Sequence, residues 1–145
     1  MGKKNQVFTA VYVFLKRENS ILLMRRFNTG YKDGHYTVPA GHIDEGELPK
    51  KTVIREVSEE IGVKISEDAV TFAHVMYRIA DDDKTYIDYF FTVDDWIGEP
   101  QIKEPHKCDD LQWVDRDSLP ENTLNGVVLA MRNIRNKELF SEIVE

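Results

Sequence analysis

The sequence is poor in the features that would send a chain out of the cytosol or onto a polyanion. It has one cysteine, Cys108, so no disulfide can close within the chain, which suits a reducing compartment. It has no apolar run long enough to span a bilayer, because the polar stretch Lys16 to Ser20 interrupts the segment from Val7 to Leu23. The opening MGKKNQ is basic but leads into no clean apolar region, so no signal peptide is expected. Gln6 stands where a myristoylated chain needs Ser or Thr. Repeats, low-complexity tracts and linkers are absent. Positive charge is scarce: 19 Lys and Arg against 26 Asp and Glu leave a net charge of −7. Such a chain repels a nucleic-acid backbone unless a basic patch or a bound metal reverses the local field, and no helix shows such a patch. The expectation is one cytoplasmic domain, residues 1–145, with neither a membrane nor a nucleic-acid polymer as partner.

What is present suffices for a core, since 41% of the residues are hydrophobic. Val7 to Lys16 and Ser20 to Arg26 read as a strand hairpin. Asn28 to His35 reads as a loop with two glycines, and Tyr36 to Val38 as an extended piece held by Pro39. A helix is predicted from Pro49, which suits a first turn, to Ile61, with Gly62 as its stop. Val70 to Arg78, Thr85 to Trp96 and Leu111 to Val114 read as further strands. Leu124, Val127, Val128, Met131 and Ile134 recur at helical spacing and predict an amphipathic C-terminal helix. Strands interspersed with helices point to an α/β domain with a mixed sheet packed between helices.

The Pro49–Ile61 helix carries the chemistry. Ile54, Val57 and Ile61 share one arc, with Val53 at its edge, and Glu56, Glu59 and Glu60 share the neighbouring arc. Three carboxylates at i, i+3 and i+4 repel one another, and they sit where the helix dipole disfavours negative charge. Clusters that break local rules are expected at functional sites. An oxygen-only cluster suits Mg²⁺ or Mn²⁺. The common alternative is a solvated acidic face, with Arg55 paired to Glu59 along the helix and no helical partner for Glu56.

The run GHIDEGELPKKTVIREVSEEIGV places Gly41, Glu47, Arg55, Glu56, Glu59, Glu60 and Gly62 at fixed spacings. It resembles the Nudix box, G-x5-E-x7-R-E-U-x-E-E-x-G-U, with Val57 and Val63 in the apolar slots. The resemblance implies the family's α/β/α sandwich and a box that holds divalent metal against a diphosphate. By motif position, Glu56 and Glu60 would be the main metal ligands. Glu59 would be a further ligand or the base that activates water. Ala40 would offer its backbone carbonyl, and Glu47 and Arg55 would brace the loop as an ion pair. Gly41 would permit a chain reversal. Arg26 matches a position that contacts substrate phosphates in MutT-like relatives. His42 is read as structural or solvated.

Downstream, EPHKCDDLQWVDRDSLPENT resembles the tail of triphosphate-cleaving Nudix proteins. His106 stands where those have Glu, which leaves Glu104 as the candidate extra ligand, with Asp109 and Asp110 nearby. Tyr36 is a candidate pocket residue, and Tyr77, Tyr86 and Phe90 are candidates for stacking on a base. The implied function is Mg²⁺-dependent cleavage of a nucleoside triphosphate to monophosphate and pyrophosphate. A diphosphatase acting on ADP-ribose or a nucleotide sugar is the alternative, although Arg78 stands where ADP-ribose enzymes carry proline. A silent nucleotide-binding regulator would have lost box carboxylates, and an RNA-decapping enzyme fits the net charge poorly. Relatives are often dimers, so a homodimer is an open expectation.

Overall fold

The computed structural model describes residues 2–145. Eleven residues of high β-propensity, Val7–Arg17, form β1, and a turn at Glu18, whose φ is +56°, leads into β2, Ser20–Arg26. β3 is Tyr36–Thr37 and β4 is Ala40–His42. Helix α1, Pro49–Ile61, follows, and a short 3-10 turn at Glu67–Ala69 leads to β5, Val70–Ile79. β6 is Thr85–Val93, β7 Cys108–Asp115, α2 Asn125–Arg135 and β8 Phe140–Val144.

The strands form a mixed sheet in the order β3-β2-β1-β6-β5-β8, with β4 paired to β1 and β7 to β2. β1 runs parallel to β6, from Val7 opposite Thr85 to Leu15 opposite Val93. β5 is antiparallel to β6 and parallel to β8. Alternation along β1 sends Val11, Val13 and Leu15 to one face and Phe14 to the other. The first face packs against Val53, Val57 and Ile61 of α1, the second against Val127, Ala130 and Met131 of α2. The result is a sheet between two helices, as expected.

Two strands go beyond the sequence reading. β4 forms from Ala-Gly-His, a run with little β-propensity, because β1 offers it a partner from Ala10 to Tyr12. β8 lies beyond the expected C-terminal helix and pairs with the distant β5. β7 begins three residues earlier than expected, at Cys108, since its backbone follows β2 as far as Arg26. β6 ends at Val93 rather than Trp96. Among the described residues no helix is long and apolar enough to cross a membrane.

Candidate active site

Helix α1 starts without a side-chain cap at Leu48, and Pro49 occupies its first turn. Gly62, at φ +73°, ends it, and its N–H donates to the Ser58 carbonyl. The loop before the helix is fixed by Arg55. Its Nε and Nη2 donate to the two oxygens of Glu47 at 2.8 and 2.9 Å, and Nη2 also donates to the His42 carbonyl at 3.1 Å. Thr52 Oγ1 and the Asp44 N–H donate to Glu47 as well, at 2.8 and 3.1 Å. These donors, the Arg55 guanidinium foremost, hold the Glu47 carboxyl down at about 2.

The same guanidinium reaches Glu56, with Nη1 2.8 Å from Oε1, and passes 3.5 Å from Glu59. Glu56 has no partner a helical turn away, as the sequence reading held, but it has one in its immediate neighbour. Arg55 instead turns between its immediate neighbour and the loop.

Glu60 and Glu56 do not share an exposed stripe. Glu60 lies half-buried beside β4, where the Ala40 N–H donates to its Oε2 at 3.1 Å. The two carboxyl groups are within hydrogen-bonding reach of each other. Burial pushes Glu60 well above the ordinary carboxylate range, and the nearby charges of Glu56 and Glu104 push it further. Burial raises Glu56 too, against the pull of Arg55.

Gly41 has a different role from the one expected. Its φ lies outside the left-handed region, and the chain turns instead at Gly46, φ +78°. A Cβ on Gly41 would stand 2.1 Å from Cδ and Oε1 of Glu56. Only glycine leaves room there for the carboxylate. An all-oxygen pair in a cradle that a single methyl would fill fits a hard divalent cation. Among the described residues no three His, Cys, Asp or Glu side chains form a ready-made cage, so water and substrate oxygens would complete the shell.

The other candidates fall around this pair unevenly. The Glu59 side chain is 53% exposed, with one carboxylate oxygen 3.5 Å from Arg55 Nη1. Glu104 comes near Glu60 because its loop is pinned to the end of α1, where the Lys103 N–H donates to the Glu60 carbonyl at 3.1 Å. A cleft of about 420 Å³ opens beside Ala40, Gly41 and His42 and is reached by Arg26 and Tyr31. Arg26 is partly engaged, with Nε donating to the Tyr31 carbonyl at 2.7 Å and Nη2 to Thr29 at 3.1 Å. Tyr36 is not brought into the cleft. It faces Arg25 across the β2–β3 pair and donates its hydroxyl to Asp110.

The opposite wall holds Tyr86 and Phe90, two of the stacking candidates, together with a buried ion pair that the sequence reading did not foresee. Arg78 of β5 donates from Nε to Asp88 and from Nη1 to Glu145, both at 2.7 Å, and its guanidinium lies 4.3 Å from the centre of the Tyr86 ring. Asp88 is only 1% exposed. Tyr12 beside them is raised far above the usual phenol range, first by burial and then by Asp88. The available signal was an Arg and an Asp at nearly facing positions of two apolar strands, since charged residues are rarely buried unless paired. His42 stacks 6.0 Å from both Phe8 and Tyr86 at the cleft rim.

Comparison with known proteins gives a consistent picture. The profile of the NUDIX domain matches residues 6–134. An 8-oxo-dGTP diphosphatase of Escherichia coli K12 is 31% identical over 120 residues, covering 81% of this chain and 89% of that protein. A NAD-capped RNA hydrolase, NudC, of Salmonella heidelberg is 40% identical over 60 residues, which span 41% of this chain and 23% of that protein. Among solved structures, a MutT NUDIX hydrolase from Burkholderia pseudomallei superposes with a TM-score of 0.81 at 24% identity, over 88% of this chain and 98% of that one. A MutT protein from Methanosarcina mazei Go1 gives 0.79 at 18% identity, over 94% and 98%.

Proposed function

The chain belongs to the NUDIX family of hydrolases, and from that premise we propose that it cuts a nucleoside triphosphate to monophosphate and pyrophosphate with Mg²⁺ or Mn²⁺. The observation that carries the proposal is the Glu56–Glu60 carboxyl pair, with Glu56 in the space left open by Gly41, a residue that lines the cleft. Nudix hydrolases generally use a divalent metal, and here Glu56 and Glu60 would hold it, with the Ala40 carbonyl and Glu104 close by. A bound cation would neutralise the diphosphate and lower the pKa of an attacking water.

The remaining work falls to the chain's own residues. Arg55 holds Glu56 at a fixed angle and ties it to the loop through Glu47. Glu59 is exposed enough to swing and accept the water proton, the role of a general base. Arg26, at the cleft mouth, would steady the outer phosphates with the guanidinium edge not bonded to the loop. Arg78 is already held by Asp88 and Glu145, so it offers no free charge to a phosphate, and that end of the cleft would take the nucleoside.

The relative acting on 8-oxo-dGTP supports a triphosphate substrate, and its 31% identity covers most of both chains. The test is a hydrolysis screen over triphosphates, dinucleotides and nucleotide sugars, with products resolved. Activity should vanish with EDTA and return with Mg²⁺ or Mn²⁺. ADP-ribose cleaved about ten times better than every triphosphate, a gap of roughly 1.4 kcal/mol in barrier, would replace this reading with the diphosphatase.

A further inference from the structure

Outside the cleft, one groove gathers positive charge that no single helix displays in the sequence. It runs between residues 116–124, after β7, and the outer face of α2, with a volume of about 390 Å³. Arg132 and Arg135 come from α2, and folding adds Arg116 from the loop. Among the described residues, only Arg135 of these three has an ion-pair partner, Asp117 at 3.1 Å. Glu121 is the other acid in the wall. In a chain of net charge −7, this leaves two uncompensated guanidinium groups against one solvated carboxylate.

The floor of the groove holds a second, independent sign. Arg116 Nε and Thr123 Oγ1 are buried and have no hydrogen-bond partner among the described residues. Thr123 is 3% exposed. Buried polar groups are nearly always paired, so two orphans under one cationic groove call for an acceptor from outside the chain. Asn125, the first residue of α2, lines both this groove and the cleft, so the positive end of the helix dipole lies where the two meet.

We propose that this groove is a phosphate-binding site separate from the carboxylate face, taking a compact oxyanion of two or more charges. Arg116 and Arg132 would ligate it, with Thr123 beneath. Two sources offer that chemistry: free pyrophosphate, or the far phosphate of a ligand long enough to pass Asn125 from the cleft.

The test is an amide-shift titration of ¹⁵N-labelled protein in buffer stripped of metal, first with inorganic pyrophosphate. Signals of residues 116–135 should move while those of α1 stay still. Arg132→Glu, a change on an exposed helix face, should weaken binding by about tenfold or more, the scale of one charge-assisted contact. The same variant should keep metal-dependent hydrolysis of a small triphosphate, which separates this site from the one in the cleft. In a second arm, a dinucleoside polyphosphate that binds more tightly than pyrophosphate and moves both regions together identifies a spanning ligand. Independent, weaker responses identify free pyrophosphate. Shifts confined to α1 and β4, no shifts at all, or unchanged binding in Arg132→Glu would overturn the proposal.

Discussion

Replacing Gly41 with alanine separates the catalytic use of this fold from its stability. The added Cβ would meet Cδ and Oε1 of Glu56 at 2.1 Å and Oε2 at 2.6 Å. Carbon atoms in contact rest about 3.5–4.0 Å apart, so the Glu56 carboxyl must retreat by roughly 1.5 Å. The obstacle is the tip of a flexible side chain rather than backbone, and the φ of Gly41 suits any residue. The expected loss of stability is about 1 kcal/mol, from an off-rotamer Glu56, partly offset by the stiffer unfolded chain. That corresponds to a melting point lower by ~2–4 °C. A misplacement of about 1 Å in a positioned group costs on the order of 10²-fold in rate. Turnover at saturating Mg²⁺ should therefore fall by ~10² or more while thermal denaturation and circular dichroism stay close to those of the parent. Near-parental turnover with an intact fold would refute the claim that the space beside Glu56 serves the chemistry. A fold that collapses would refute the claim that only a side-chain tip is in the way.

Other perturbations follow from the same contacts. Glu60→Gln removes a buried charge that Glu56 and Glu104 repel, so turnover should drop by ~10²-fold or more while the melting point holds or rises, and a large loss of stability would count against the assignment. Glu47 is held near 2 against an ordinary 4.5, so its contribution is complete above pH 4.5 and is lost as the pH falls toward 2. With its side chain 17% exposed, that contribution is at most about 3 kcal/mol, and urea melts of Glu47→Gln should show a correspondingly flatter acid limb than the parent. Arg26→Ala should lower kcat/KM for triphosphates by about 10- to 100-fold and for diphosphates by less. An equal loss on both would trace instead to the Thr29–Tyr31 loop that Arg26 also holds.

The parts of this structure legible in the sequence are those written in local patterns. Helix α1 runs from Pro49 to Ile61 as its proline, apolar spacing and terminal glycine indicate. The alternation in β1 decides which residues meet which helix. What escaped reading depends on partners far along the chain. Ala40–His42 becomes a strand only because β1 lies beside it. Tyr36 turns toward Asp110 because pairing with β2 sets it opposite Arg25. The wheel placed Glu56, Glu59 and Glu60 together, but β4 lies against Glu56 and Glu60 and leaves Glu59 exposed, so three like residues differ in depth. The need for glycine at 41 was visible, but its cause, a carboxylate arriving from another element, was not.

The parallel pairing of β1 with β6 also bears on how the chain reaches this state. Val7 must find Thr85, and the helix that carries Glu56, Glu59 and Glu60 is made in between. Closing a loop of about 80 residues costs on the order of 4 kcal/mol beyond a constant, before any contact across it repays that entropy. The β1–β2 and β5–β6 hairpins join near neighbours and escape that cost. Refolding should therefore be slow for a domain of this size, with a rate set by contact order rather than by helix propensity. Substitutions in the β1–β6 seam, such as Val13→Ala opposite Phe91, should slow refolding, whereas those at the exposed end of β8 should chiefly hasten unfolding.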